Sequence, residues 1–391
     1  MIDTIVLQVN LMHENGFSFL DNSYYNWTPN IKGVVCPPFY GFEGHYRKFV
    51  NNPTQKQTNE WGYLPRLTLC ETKVNGELER YLYIEFSAPK IVFGNNFSEL
   101  SDGDLENFCH SLMNKLYHMG IHVYRTQAIK ECQVKAIHYS KNIVFTDGTT
   151  PSSVIRLFQK SNISTHRNTN ESKYKNGGES YNSYTLDSCF CAYDKRKELQ
   201  RTKLSRRGRI EKDSYCQLDL LDSLTLLEPF QVLRLERRFE SKKSLTKGLE
   251  ELGMILPTLT LENLFKAEIA KQVLASQLSE IERSIPNVVK NTQRYADTME
   301  SLTVLNPKAS LSLKLKAIGL KALMHETNLR DLRQIIRSTD KQWSRLIEDL
   351  EKLKIPENPI PILNEVNRQL EVFEPLRLED HIDKMIEIDI Q

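Results

Sequence analysis

What the sequence lacks narrows the reading first. No apolar run in the 391 residues approaches the roughly eighteen uncharged positions that a membrane-crossing helix needs. The opening MIDTIVLQVNL has an acid at position 3 and no basic stretch ahead of its apolar residues, unlike an export signal. The expectation is a chain that is neither exported nor membrane-spanning. Its seven cysteines are odd in number and include no Cys-x-x-Cys pair, which argues against a disulfide framework and a zinc knuckle, so they read as reduced thiols. No Gly-x-x-x-x-Gly-Lys loop, Gly-x-Ser-x-Gly elbow or dinucleotide fingerprint occurs, against an ATP-driven helicase or a hydrolase of the common kinds. Net charge is nearly absent as well, at +2. That balance hides a local excess, because nine lysines and arginines between Lys195 and Lys212 face only Glu198 and Glu211. Such a run points to a polyanionic partner.

What is present divides the chain by period. Up to about residue 255, short alternating runs such as TIVLQVNL, RYLYIEFSA, CQVKAIHYSKNIVF, SYTLDSCFCAYD and QVLRLERRFES read as strands, with turns such as Asn75-Gly76 between them. A helix is expected from Ser101, a capping candidate, to a stop at Gly120, and a second over TPSSVIRLFQKS. The stretch 162–182, rich in Asn, Ser, Lys and Gly, is expected to be a mobile loop. From 256 to 391 the period becomes helical. The fold class is therefore α+β: an antiparallel sheet with packed helices over 1–255, followed by an α-helical domain over 256–391.

Alternation also groups side chains that could do chemistry. Tyr81, Tyr83 and Glu85 share one face of their strand; Val134, Ala136 and His138 share another; Val232, Arg234, Glu236 and Arg238 a third. If these faces coincide, Glu85, His138 and Glu236 meet, and two carboxylates with an imidazole suit Mg²⁺ or Mn²⁺. Equally, the two glutamates fit salt bridges on a solvated face and His138 a half-buried structural role. Tyr193, in FCAYDKRKELQRTK, has Lys195 and Lys197 nearby whether the strand continues or a helix begins there. A cation close to the phenol would favour phenolate and stabilise a pentacovalent phosphate. The plainer reading is a core tyrosine beside a solvated basic helix. His118 and His122 stand four apart, but Gly120 between them ends the helix, and FGNN at 93–96 reads as a turn.

Taken in order, YIEFSAPKIVFGNNFSEL, VKAIHYSKNIVF, FCAYDKRKEL and VLRLERRFESKKSL resemble the replication initiators of filamentous phages, rolling-circle nicking-joining enzymes akin to plasmid Rep proteins and the HUH endonucleases. The resemblance implies a metal-dependent endonuclease whose tyrosine attacks a DNA phosphodiester, leaving a 5′-phosphotyrosyl link and a free 3′-OH. It places the nucleophile at Tyr193, with Lys195 and Lys197 beside it, and metal ligands at Glu85, His138 and Glu236. A plasmid-type alignment would favour Tyr181 or Tyr184 instead. DNA contacts fall to Lys203, Arg206, Arg207, Arg209 and Arg234. The expected partners are origin DNA, single-stranded or supercoiled, and a host helicase and polymerase, in the bacterial cytosol. In the helical part, Ser338-Thr339-Asp340 reads as a turn between two helices, the second carrying Lys341, Trp343 and Arg345. That pair is either a helix-turn-helix on origin duplex or a bundle on the core. A non-catalytic DNA-binding regulator with the same fold accounts for the basic run equally well.

Overall fold

A computed structural model describes residues 1–12, 16–20, 28–29, 47–74, 77–162, 167–203, 205, 230–356 and 361–377. The turn expected at Asn75-Gly76 and the cations Arg206, Arg207 and Arg209 lie outside the described residues.

The alternating runs pair as one antiparallel sheet. Its strands are β1 (Ile2–Asn10), β3 (Thr28–Pro29), β4 (Arg47–Asn51), β5 (Arg66–Val74), β6 (Glu77–Ser87), β8 (Gln133–Phe145), β9 (Asn168–Lys173), β10 (Glu179–Tyr184), β11 (Ser188–Asp194) and β12 (Gln231–Phe239). Their order across the sheet is β3-β4-β5-β6-β1-β8-β12-β11-β10-β9, while β2 (Phe17–Phe19) and β7 (Ile121–Val123) pair separately. One face of this sheet takes most of the helices, while the helix Lys195–Lys203 packs Leu199 against Val232, Phe97 and Phe230 on the other. Ile5 and Leu7 of β1, Leu82, Ile84 and Phe86 of β6 and Ile137 and Tyr139 of β8 form a core with Phe108, Leu112 and Leu116 of the helix Leu105–His118. A 3-10 turn, Asp102–Asp104, leads into that helix and is capped by Ser101, whose amide and hydroxyl both donate to Asp104 Oδ2; Gly120, at φ 83°, follows the end of the helix. A neighbouring core holds Phe190 and Ala192 of β11, Leu233 and Leu235 of β12, and Val154, Ile155 and Phe158 of the helix Pro151–Phe158.

Two features depart from simple alternation. Between Val6 and Leu7 the pairing of β1 with β8 slips: Val6 faces Ala136 but Leu7 faces Val134, which leaves Lys135 as an extra residue. This β-bulge turns Val134 into the core, so the expected grouping of Val134 with Ala136 and His138 is corrected: only the latter two share a face. A second slip, where Ile2 faces Tyr139 and Thr4 faces His138, leaves Asp3 as the extra residue of β1. The stretch 162–182 is a further correction. Two of its segments, Asn168–Lys173 and Glu179–Tyr184, pair as strands β9 and β10 around a turn near Gly177, because a polar composition does not prevent edge strands whose backbone groups bond each other.

The helices after residue 256 do not all stand apart. In the helix Ala267–Ser284, Ile269 and Val273 enter the first core and Leu274, Leu278 and Ile281 the second. The helix Pro361–Val372 joins the second core through Leu363, Val366 and Leu370. Between them, Leu302, Leu320, Leu332, Trp343, Ile347 and Leu350 close a core of their own. The helices Leu329–Ile335 and Asp340–Glu351 meet at the expected turn, where Thr339 caps the second by accepting from Gln342 N. Among the described residues no helix is long and apolar enough to cross a membrane.

Candidate active site

On the face away from Phe108, the middle strands present their polar residues. Register aligns Tyr193 of β11 with Arg234 of β12 and then Asn142 of β8, and Cys191 with Glu236 and then Ser140. The side chains in these rows interlock. Tyr193 donates its hydroxyl to Glu236 Oε1 at 2.5 Å. The same oxygen accepts from Arg234 Nε at 2.8 Å, and Oε2 accepts from Arg238 Nε and Nη2 at 2.8 and 2.6 Å. Arg234 is 1% exposed, and its nitrogens are all engaged: Nη1 with Asn96 O and Asn142 Oδ1, Nη2 with Ser140 Oγ and, as an ion pair at 2.7 Å, Asp3. The bulge in β1 explains the last contact, since the extra residue points its carboxylate to the polar side instead of the core.

Two further groups close the cluster. Lys195 opens the helix Lys195–Lys203 directly after β11, is wholly buried, and donates from Nζ to Asn96 Oδ1 at 2.9 Å. Asn96 comes from the turn in FGNN, which Gly94 starts at φ 69° and Asn95 fixes by accepting from the amides of Phe97 and Ser98. Glu99 then covers the part of β8 that runs past the end of β1. It accepts from Asn142 N at 2.6 Å and from Lys141 Nζ at 2.6 Å, which satisfies an amide that would otherwise face a missing strand. Leu376 N also donates to Glu99, and Lys141 Nζ donates to Glu374 O.

The electrostatics follow from burial and pairing. Burial, and then the charge of Glu236, raises the Tyr193 hydroxyl well above its usual pKa, so the phenol is neutral at physiological pH. Part of the residue's surface remains accessible, so the enclosure is not complete. Burial alone would raise the Glu236 carboxyl, but Arg238 and Arg234 outweigh it and hold the group far below the ordinary carboxylate range. Burial, and then Arg234, brings the Lys195 ammonium down to about 8. Four cations, Arg234, Arg238, Lys195 and Lys141, thus meet four carboxylates, Asp3, Glu99, Glu236 and, 4.0 Å from Lys195 Nζ, Glu198. Arg238, with a side chain 36% exposed, is the cation at the solvent rim.

The expected residues fall into two groups. Tyr193, Lys195 and Glu236 come together. Glu85 does not: it lies on β6, three strands from Glu236, and pairs with Arg66 in the open at 3.6 Å. Register also sets it about four residues further along, so the two Cα atoms are roughly 20 Å apart. His138 shares the face, but its Nε2 meets Glu240 Oε1 at 3.1 Å. Both oxygens of Glu236 are already held by guanidinium groups. The expected ligand set Glu85, His138 and Glu236 is therefore corrected: these residues do not fit one Mg²⁺ or Mn²⁺ ion, and among the described residues no group of three or more His, Cys, Asp or Glu is arranged to hold a metal.

Other assignments shift as well. Arg234, expected to grip DNA, is buried and fully occupied, so it orders the cluster. Lys197 offers its carbonyl to Asn176 Nδ2, and no bond joins its ammonium to Tyr193. Lys203 ends the basic helix, and Lys341 and Arg345 are exposed on the helix Asp340–Glu351 while Trp343 is buried. Tyr181 is 1% exposed in the core on the opposite face, and Tyr184 pairs with Cys189 at the far end of β10. His118 stacks on Trp61 and His122 packs edge-on to Tyr124, as structural histidines do. Sequence reasoning missed Asp3, Asn96, Glu99 and Asn142, and it placed Arg238 on the face of Glu236 without giving it a role. Continuing the alternation from His138 to Ser140 and Asn142 would have found one of them.

Neither the curated proteins nor the solved structures contain a match to this chain. A family model does match: that of the N-terminal part of a phage replication-associated protein, over residues 52–253, more than half of the chain and including all but Asp3 of the clustered groups around Tyr193. The chain belongs to this family of filamentous-phage-type replication initiators.

Proposed function

We propose that the protein starts rolling-circle replication by cutting one DNA strand with Tyr193 and later rejoining it. The observation that carries this reading is the Tyr193 hydroxyl, hydrogen-bonded at 2.5 Å to a carboxylate clamped by two arginines, on the polar face of the sheet. In that state the phenol is neutral and Glu236 is a weak base, so the nucleophile is at rest. A DNA phosphate arriving at the rim competes with Glu236 for Arg238. As Arg238 turns to the phosphate, Glu236 loses part of its stabilisation and becomes basic enough to take the phenolic proton. The Tyr193 oxygen then forms a bond to phosphorus, the bond from phosphorus to the 3′-oxygen breaks, and the Lys195 ammonium supplies a proton to the departing oxygen. Rejoining runs the same proton transfers backwards.

A requirement for Mg²⁺ or Mn²⁺ enters this proposal through the resemblance alone, and no step above is routed through an ion. Recognition of an origin, contact with it through Lys203, Lys341 and Arg345, recruitment of a host helicase and polymerase, and work in the bacterial cytosol belong to the same proposal. The test is a labelled single-stranded oligonucleotide carrying the origin. A covalent protein–DNA adduct that maps to Tyr193 by mass spectrometry is expected. An adduct on Tyr184 or Tyr181 would overturn the assignment, and binding without any adduct would favour a non-catalytic regulator.

A further inference from the structure

Strand β11 carries a second pair of reactive groups that the proposed cleavage leaves unused. Cys189 and Cys191 stand two residues apart on the face that also holds Tyr193, and their Sγ atoms lie 3.3 Å from each other. Cys189 is half-buried and lies directly across from Arg238, whereas Cys191 is 2% exposed and lies across from Glu236. The other described cysteines, Cys70, Cys109 and Cys132, are all buried. One thiol of the pair is thus reachable beside a guanidinium, and the other waits behind it at contact distance. That is the arrangement of an attacking and a resolving thiol.

We propose that Cys189 and Cys191 form a reversible dithiol–disulfide site whose oxidant is a low-molecular-weight disulfide. The Cys189 thiolate attacks one sulfur of the oxidant, whose S–S bond breaks and releases one thiolate. This leaves a mixed disulfide at Cys189. Cys191 then gives up its proton, attacks the Cys189 sulfur, and expels the second thiolate. The pair loses two electrons, and the oxidant leaves as two thiols. The backbone permits the bridge: same-face neighbours in a strand have Cα atoms about 6.6 Å apart, at the long end of the roughly 4.4–6.8 Å that disulfides span. The pleat must tighten for the bond to close, so the bridge is easily reduced again. Tyr193 is the next residue on that face, and Glu236 and Arg238 are the cross-strand partners, so the tightening falls beside the candidate nucleophile.

The thiol chemistry is testable without any assumption about DNA cleavage. The full chain is incubated with oxidised glutathione, the remaining thiols are alkylated, and the protein is cut after Phe190, which separates the two cysteines. Two peptides joined by a disulfide are expected, with Cys189 consumed about tenfold faster than the buried Cys109 and Cys132, and with both thiols restored by reduced glutathione. In Cys191→Ser the glutathione should remain on Cys189 as a stable adduct, while Cys189→Ser should leave Cys191 unmodified. A lasting glutathione adduct on Cys189 of the unaltered chain, with Cys191 still free, would overturn the proposal. So would failure of both cysteines to react under conditions that modify a glutathione-reactive control protein. The unaltered chain alone separates these outcomes, whatever the variants do to folding.

Discussion

Two glutamates on the same face of the same sheet have opposite fates. Glu85, on β6 between β5 and β1, has about half of its side chain in solvent, and its ion pair with Arg66 is long and exposed. Glu236, on β12 between β8 and β11, is 1% exposed, with two guanidinium groups and a phenol on its two oxygens. Water screens the first, so its pairing contributes little. The second has no water to fall back on, and each partner is needed to offset its desolvation. A carboxylate on a polar face is therefore a weak clue by itself. What makes Glu236 a candidate for chemistry is the pair of guanidinium groups from its own strand and the phenol that the neighbouring strand brings to it.

The sharpest way to break this contrast is at the phenol. Tyr193→Phe should reduce adduct formation on the labelled oligonucleotide to background while costing about 1.5–3 kcal/mol of stability, the worth of one hydrogen bond to a charged group. Tyr181→Phe and Tyr184→Phe should keep forming the adduct, and loss of the adduct in either while Tyr193→Phe stays active would reverse the assignment. Next in size is the charge of Glu236. Glu236→Gln leaves two guanidinium groups without their carboxylate and should lose about 3–5 kcal/mol in urea unfolding, whereas Glu85→Gln should stay within about 0.5 kcal/mol. Equal losses from the two would show that burial does not separate them.

Titration sharpens the comparison further. The folded Glu236 carboxyl sits far below its ordinary value, so its stabilisation is fully present above the ordinary carboxylate range, about pH 4.3, and is lost as pH falls below it. Thermal unfolding from neutral to acid pH should show this loss, and Glu236→Gln should flatten it. On the alkaline side, Lys195 loses its proton near pH 8, so DNA cleavage should decline as pH rises through about 8. Lys195→Arg, whose guanidinium keeps its charge but does not give up a proton, should slow cleavage and abolish that decline; an unslowed variant with the same decline would remove Lys195 as the proton source. A smaller effect is expected on binding. Neutralising Arg206, Arg207 and Arg209 together should lower the salt slope of DNA affinity by about 2 to 3 units. The smallest effect is expected from Glu85→Ala and His138→Ala, whose adduct yields should stay within about twofold, because neither reaches Tyr193.

Much of this was legible in the chain. Period-2 runs gave the strands, and their alternation put Glu85, His138 and Glu236 on one face, which the register upholds. Alternation carries no information on strand order, so it could not show that two strands, β1 and β8, separate Glu85 from Glu236. Nor could it see the bulges at Asp3 and Lys135, since a bulge is a property of two strands and one sequence run shows only its own half. Asn96 was hidden for a related reason. A turn residue has no face until the turn is placed, and here Gly94 and Asn95 aim it at Lys195 and Arg234. The polar stretch 162–182 misled through composition, because the hydrogen bonds that make β9 and β10 strands are backbone bonds.

The sheet order also bears on when the site comes into being. β1, β8 and β12 are neighbours in space although they span residues 2–10, 133–145 and 231–239, and β12 is the last described strand of the sheet to be synthesised. Pairings so distant in sequence are slow to form. A nascent chain that has emerged only as far as the helix Lys195–Lys203 already carries Tyr193, yet has neither Arg234 nor Glu236 nor Arg238 around it. Glu236 and the two arginines that hold it therefore reach the tyrosine together, with the docking of β12 between β8 and β11.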